Sequence, residues 1–213
     1  MNFRVAFGCG TDNQNINFGQ NDGPKNPIAG IFGLGMAQRS ILNQLAKETN
    51  RRFSYCLPSS TIPRETHTTL SFGKDAKICG SIQKTEILPA HMQAYSVNLL
   101  GISIAEKRLH IDPEIFKLKY GPFGGFFIDT GGENKTLPSM TFHFKGANLV
   151  LDSKAVFERF NSNFCMAIFP TSDLGINILG AFQQANHRFL FDVLKLSLYG
   201  RKSIVSFAPE ICQ

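Results

Sequence analysis

The sequence predicts a mostly β protein, on three observations. Apolar and polar residues alternate in short runs along most of the chain. Helical periodicity is confined to two places. The aromatic content is 20 Phe against 4 Tyr and no Trp, which suits rings that fill strand-built cores. A chain of 213 residues, 43% hydrophobic and 18% charged, is long enough to bury one or two compact cores. The same numbers exclude a disordered tail, and 19 Gly with 10 Pro exclude a collagen-like or linker-dominated sequence.

The elements follow in order. Met1 to Gly8 lacks the charged and apolar regions of a signal peptide and reads as the middle of a strand, so the chain is expected to begin inside a domain. Ala29 to Gly35 is a hydrophobic-hydrophobic-Gly stretch, after which Ser40 can cap a helix with Ile41, Leu42, Leu45 and Ala46 on one face. Tyr95, Val97 and Leu99 alternate with Ser96, Asn98 and Leu100, and the pattern resumes after Gly101 through Ile102 and Ile104. Asp112, Pro113 and Glu114 start a second, shorter helix up to about Lys119. Thr141 to Phe144 turns at Lys145-Gly146-Ala147 into Asn148 to Leu151, a hairpin signal. Further strand-like runs are Phe164 to Phe169, Ile176 to Leu179, Arg188 to Val193 and Ser203 to Phe207.

Ile176 to Gly180 repeats the hydrophobic-hydrophobic-Gly pattern of Ala29 to Gly35, and a unit occurring twice suggests two related halves. The pattern is interrupted between Phe72 and Tyr95. The expected division is residues 1–85 as the end of a first lobe and 86–213 as a second.

Composition excludes several functions. The net charge of +6 comes from 22 basic and 16 acidic residues. Its basic pairs are scattered rather than aligned, which argues against nucleic-acid binding. No apolar run is long enough to span a bilayer. Gly8-Cys9-Gly10 and Gly33-Leu34-Gly35 begin like a dinucleotide fingerprint, but Asn13 and Gln38 stand where the third glycine belongs, and neither lies in a βαβ context. Five widely spaced cysteines form no C-x-x-C pair and have no histidine at ligand spacing. No cofactor and no metal are expected. His67, His91, His110, His143 and His187 are isolated and read as surface or hairpin residues.

One segment points to chemistry. Gly124 to Ile128 is an apolar strand that delivers a carboxylate into the turn Asp129-Thr130-Gly131. Glycine lets backbone amides approach the carboxylate, and a threonine hydroxyl can fix its rotamer. Asp and Gly after a strand are also ordinary turn chemistry.

The surrounding residues carry a resemblance. Phe7-Gly8-Cys9-Gly10, Gly30 to Gly35, Phe53-Ser54-Tyr55-Cys56-Leu57 and Tyr95 to Ile104 resemble plant nepenthesin-like aspartic peptidases, relatives of pepsin. So do Phe127 to Gly131, Thr141-Phe142-His143-Phe144, Ile178 to Gln184 and Ser206-Phe207-Ala208-Pro209, in the family's order.

The resemblance implies a pepsin-like fold of two β lobes and a dyad of aspartates that share a proton and activate water against a peptide carbonyl. Like charges in contact cannot both ionise readily, so one serves as acid and the other as base. Asp129 matches the second-lobe aspartate, with Thr130 and Gly131 as its supporting turn. The first Asp-Thr-Gly and the substrate-covering flap would lie upstream of this chain, and the segment after Gly131 is shortened. The fold is therefore expected to be incomplete: the end of the first lobe plus a shortened second lobe. The chain is expected to be inactive alone. A non-catalytic peptidase-like binding or inhibitor protein is the alternative, and a fragment that never folds stably is a third.

Other implications concern surroundings. The resemblance leaves Cys9 and Cys165 unpaired and makes Cys56–Cys212 the best surviving disulfide, worth about 4–5 kcal/mol in the chain-entropy model. Asn134-Lys135-Thr136 is a glycosylation sequon, meaningful in an exported chain. The expected partner is a polypeptide substrate or protein ligand, the expected state a monomer, and the expected location extracellular or vacuolar.

Overall fold

The computed structural model describes residues 3–8, 32–59, 68–89, 94–117, 126–128, 138–160, 163–168, 176–194 and 202–212. The first strands in chain order are β1 (Arg52–Cys56), β2 (Ser71–Phe72), β3 (Gln83–Leu88), β4 (Ser96–Val97), β5 (Leu99–Ile104), β6 (Lys107–Arg108) and β7 (Phe126–Ile128). They are followed by β8 (Met140–Phe144), β9 (Ala147–Leu151), β10 (Phe157–Phe160), β11 (Asn163–Met166), β12 (Asn177–Leu179), β13 (His187–Asp192) and β14 (Ile204–Pro209). Helical structure among the described residues is limited to α1 (Ile41–Gln44), α2 (Ala46–Thr49), α3 (Ala181–Gln184) and short 3₁₀ turns.

An eight-stranded sheet runs β12-β7-β4-β3-β14-β13-β1-β2, a four-stranded sheet β6-β5-β8-β9, and β10 pairs with β11. The division expected between residues 85 and 86 falls inside β3, whose Thr85 and Glu86 both pair with β14.

Alternation builds the four-stranded sheet. Met140, Phe142 and Phe144 on β8 and Ala147, Leu149 and Leu151 on β9 point inward, while the residues between them face outward. The hairpin closes through Lys145 and Gly146, and Gly146 takes φ +86, a left-handed backbone that favours glycine. On β5 the register shifts between Leu99 and Gly101. This bulge leaves Leu100 exposed and keeps Leu99 buried.

Rings join the two larger sheets into one core. Phe53 on β1 stacks on Phe191 of β13 with centroids 4.8 Å apart and planes at 4°. Tyr95 leans on Phe191 at 4.7 Å. Phe207 on β14 meets Phe189 at 5.6 Å and, edge-on, Phe144 of the other sheet at 6.0 Å.

Three expectations change at the helices and the N-terminal segment. The helix after Ser40 is two pieces broken at Leu45 (φ −103°, ψ 31°), each too short to hold itself by propensity. The Ser40 hydroxyl is buried without a partner, and its carbonyl rather than its side chain receives the first N–H groups, from Asn43 and Gln44. Beyond Asp112, whose carboxylate does accept from the Glu114 N–H as a cap, the helix is a 3₁₀ turn that stops at Phe116. Residues 3–8 form no strand. Their one lateral neighbour described is a side chain: the Gln44 amide accepts from Ala6 N at 2.6 Å and donates to Ala6 O at 2.9 Å. Phe7 is 84% exposed, because a single amide supplies hydrogen bonds but no apolar cover.

Candidate functional site

The strand that leads into Asp129 lies inside the eight-stranded sheet. β4 pairs with β7 antiparallel, with Ser96 opposite Phe127 and Val97 opposite Phe126. β12 pairs with β7 on its other side, in parallel. The parallel register sets Asn177 beside Phe126, Ile178 beside Phe127 and Leu179 beside Ile128. Parallel neighbours run toward the same end, so Ile128, the residue before Asp129, stands level with Leu179, the residue before Gly180.

Side-chain hydrogen bonds tie the residues around this strand pair together, with Ser96 as an exception. Gly180 sits at the N-cap of α3. Gln184 at the end of α3 folds back and donates from Nε2 to the Leu179 carbonyl at 2.9 Å. The Tyr55 hydroxyl on β1 donates to Gln184 Oε1. Gln183 donates from Nε2 to the Ala167 carbonyl at 3.0 Å. Tyr95, just before β4, donates its hydroxyl to the Leu34 carbonyl, and burial pushes the phenol well above its ordinary value, so it stays neutral. Ser96 is fully buried and its Oγ has no partner.

Asp129, Thr130, Gly131 and Asn134 lie outside the described residues, as does Cys9. Cys165 is described through its backbone, opposite Glu158. Cys56 at the end of β1 and Cys212 beyond β14 are joined by a disulfide with Cα atoms 5.4 Å apart. The corner around them is knitted by Asn186 N to Leu57 O at 2.9 Å and Glu210 N to Asn186 O at 3.0 Å. Arg188 grips Glu210 through two donors, one at 2.6 Å. That grip holds the Glu210 carboxyl below its ordinary value and the Arg188 guanidinium above its own. Cys79 is an exposed free thiol.

The histidines are not uniformly superficial. His187 at the start of β13 is buried, and burial lowers its proton affinity despite the Ala185 carbonyl at 3.1 Å from Nδ1. His143, in the β8–β9 hairpin, is hydrogen-bonded on both ring nitrogens, to Ser103 and Asn148. Reasoning from sequence missed this trio. The signal that could have found its second half is the two-residue hairpin, which sets Asn148 directly opposite His143. No helix among the described residues is long and apolar enough to cross a membrane.

The family models for the xylanase inhibitor N-terminal and C-terminal regions match residues 1–74 and 131–199. Aspartyl protease AED1 of Arabidopsis thaliana is 31% identical over 98% of this chain and 49% of its own length. Aspartic proteinase nepenthesin-1 of Nepenthes gracilis is 28% identical over 98% of this chain and 54% of its own length. The chain thus spans about half the length of the curated relatives it matches.

Two solved structures share the fold. The crystal structure of edgp superposes with a TM-score of 0.66 at 15% identity, covering 88% of this chain and 62% of that one. Basic 7S globulin from soybean gives 0.60 at 17%, covering 89% and 60%. The fold is therefore pepsin-like and mostly β. With sequence relatives of this kind along nearly all of its length, the chain belongs to the plant nepenthesin-like aspartic peptidases of the pepsin-like family.

Proposed function

We propose that this chain carries one half of an aspartic endopeptidase site, with Asp129 as one of the two aspartates that activate water against a peptide carbonyl. Thr130 and Gly131 form the turn that holds it. The observation that carries this reading is the parallel pairing of β7 with β12, which runs Ile128 to the same end of the sheet as Leu179. A hydrogen-bonded strand pair gives a carboxylate at its tip a fixed base, and fixing the geometry of the reacting groups is one source of such a site's rate.

The 213 residues contain one Asp-Thr-Gly, so the chain alone lacks the acid that would protonate the carbonyl oxygen or the departing amine. General acid–base assistance is worth about 10²–10⁴-fold per group. The chain alone is inactive on this reading. Its two-lobe organisation, monomeric state, polypeptide ligand and extracellular or vacuolar location belong to the same proposal. The Cys56–Cys212 disulfide supports the location, because such bonds persist in oxidising compartments.

The test is peptide cleavage at acid pH by the chain and by Asp129→Ala. No cleavage by either is expected. Cleavage blocked by a statine-type transition-state mimic and lost in Asp129→Ala would overturn the inactivity and keep the role of Asp129. Cleavage unchanged in Asp129→Ala would overturn both.

A second reading is favoured by the family models themselves, whose descriptions are of xylanase inhibitors. In it the chain binds a protein without catalysis. Dose-dependent loss of a xylanase's activity on adding the chain, undiminished in Asp129→Ala, would select this reading over the first.

A further inference from the structure

Away from Asp129, three polar side chains form a row across adjacent strands of the four-stranded sheet. Ser103 Oγ on β5 lies 2.8 Å from His143 Nε2 on β8, and His143 Nδ1 lies 2.9 Å from Asn148 Oδ1 on β9. The alternation that sends Phe142, Phe144, Ala147 and Leu149 inward puts His143 and Asn148 on the opposite, outward face.

The donor pattern fixes the protons. Asn148 Oδ1 can only accept, so Nδ1 of His143 carries the hydrogen. In the neutral imidazole Nε2 then presents its lone pair to Ser103, whose hydroxyl donates. A hydroxyl bonded to a neutral imidazole, itself oriented by a third group, is the arrangement of an activated nucleophile.

A cation stands beside it. Arg108 on β6 is opposite Ser103 in register, and its Nη2 donates to the Leu100 carbonyl at 2.8 Å. The guanidinium lies over Gly101, which is opposite His143. Gly101 has φ +151°, and a β-carbon there would fall 2.8 Å from Arg108 Nε. A side chain at 101 would thus displace the arginine. One of the five guanidinium donors is used in that bond, leaving others for a developing oxyanion. The β5 bulge sits at the same place, and bulges often re-aim side chains at working sites. Exposed Val150, on the outward face of β9 two residues from Asn148, offers a small apolar flank.

We propose that Ser103, His143, Asn148 and Arg108 form a serine-type acyl-transfer site for small carboxylic esters. Ser103 Oγ bonds to the acyl carbon while its proton passes to His143 Nε2. The bond from acyl carbon to leaving oxygen breaks, and that oxygen takes the proton from Nε2. Water, deprotonated by the same nitrogen, then bonds to the acyl carbon, the bond from that carbon to Ser103 Oγ breaks, and Oγ takes the proton back from Nε2 as the carboxylic acid leaves. Asn148 acts as a positioning residue through the imidazole. Ser103 is only 7% exposed, which restricts the site to short acyl groups.

The experiment uses the full chain with p-nitrophenyl acetate at neutral pH and a fluorophosphonate label read by peptide mass mapping. Saturable hydrolysis and an adduct on Ser103 are expected, with a loss of about 10²-fold in Ser103→Ala and in His143→Gln. Asn148→Asp should move the acidic limb of the pH profile upward, because a carboxylate beside Nδ1 favours the imidazolium. A merely structural asparagine would leave that limb in place. Hydrolysis should be insensitive to a statine-type mimic, which separates it from any activity of Asp129. Absence of an adduct on Ser103 in the folded wild-type chain overturns the proposal, even where Ser103→Ala fails to fold. Hydrolysis kept in Ser103→Ala but lost in His143→Gln also overturns it, since the histidine would then be the nucleophile.

Discussion

The hydroxyl of Tyr55 donates to the side-chain oxygen of Gln184 across 129 residues of sequence. Gln184 passes the connection on, donating to the carbonyl of Leu179. β1 is thereby tied to the edge strand β12, although five strands separate them in the sheet. Gln184 is fully buried, so cutting it back to alanine takes a hydrogen bond from the buried Leu179 carbonyl and another from the part-buried Tyr55 hydroxyl. Gln184→Ala should cost about 2–4 kcal/mol of unfolding free energy, and Tyr55→Phe about 1 kcal/mol. Urea unfolding of both single variants and the double variant would show the two changes to be less than additive.

A disulfide closing a segment of 156 residues constrains the unfolded chain strongly. The chain-entropy relation gives about 5 kcal/mol at this length, with strain reducing it in practice. Cys56→Ser with Cys212→Ser should lower the melting temperature, and reductant should lower the wild-type midpoint toward the same value. Peptide mapping under non-reducing conditions should recover Cys56 linked to Cys212 and Cys79 as a free thiol.

The ring stack is a second place where one atom group matters to the whole. Phe53 packs against both Phe191 and Tyr95 and is almost wholly buried. Phe53→Ala should destabilise by about 3–5 kcal/mol, whereas Phe53→Leu should cost less because it leaves a smaller cavity. Denaturant midpoints at constant slope would separate the two.

Two titrating groups give the stability profile its acid side. His187 holds its proton less tightly when folded, chiefly because it is buried, while the Ala185 and Val150 carbonyls and the Asp152 charge oppose the shift. The unfolded chain therefore binds that proton first as pH falls. His187 contributes stability fully present above about 6.5, the ordinary histidine value, and lost as pH falls below it toward the folded value. Glu210, lowered chiefly by its hydrogen bond from Arg188, contributes above the ordinary carboxyl value and loses that contribution at more acid pH. His187→Gln should flatten the decline in stability between about pH 7 and 5, as chemical denaturation at stepped pH would register.

Periodicity made much of the fold readable. β8 and β9 alternate cleanly about a Lys-Gly turn, and β12 and β13 are short apolar runs with clear ends. What escaped was decided by partners distant in sequence. Nothing local in Ile41 to Thr49 announces the break at Leu45, where side chains of Asn43 and Gln44 take up backbone groups of Met36, Ala37, Arg39 and Ala6. Alternation in Phe3 to Phe7 marks a segment able to be a strand, but a strand exists only where a neighbour offers a ladder. Asp129-Thr130-Gly131 is legible as a motif because it is spelled by consecutive residues, and it lies outside the described residues. The row through His143 was not, because Ser103 reaches it only through the register of β5 on β8.

The place of β14 between β3 and β13 sets a timetable for synthesis. β3 cannot gain its β14 neighbour until residues beyond 200 have emerged, and Glu86 waits for Lys202, 116 residues later, to complete their ion pair. At translation speeds of about 5–20 residues per second, that delay is on the order of ten seconds. Throughout it, the apolar faces of β1 and β3 are available to chaperones or to other nascent chains. The hairpin β8–β9 closes locally and needs no such wait. Folding of this chain is therefore paced from its carboxyl end, and a translational pause placed before residue 202 should raise the aggregated fraction more than one placed after it.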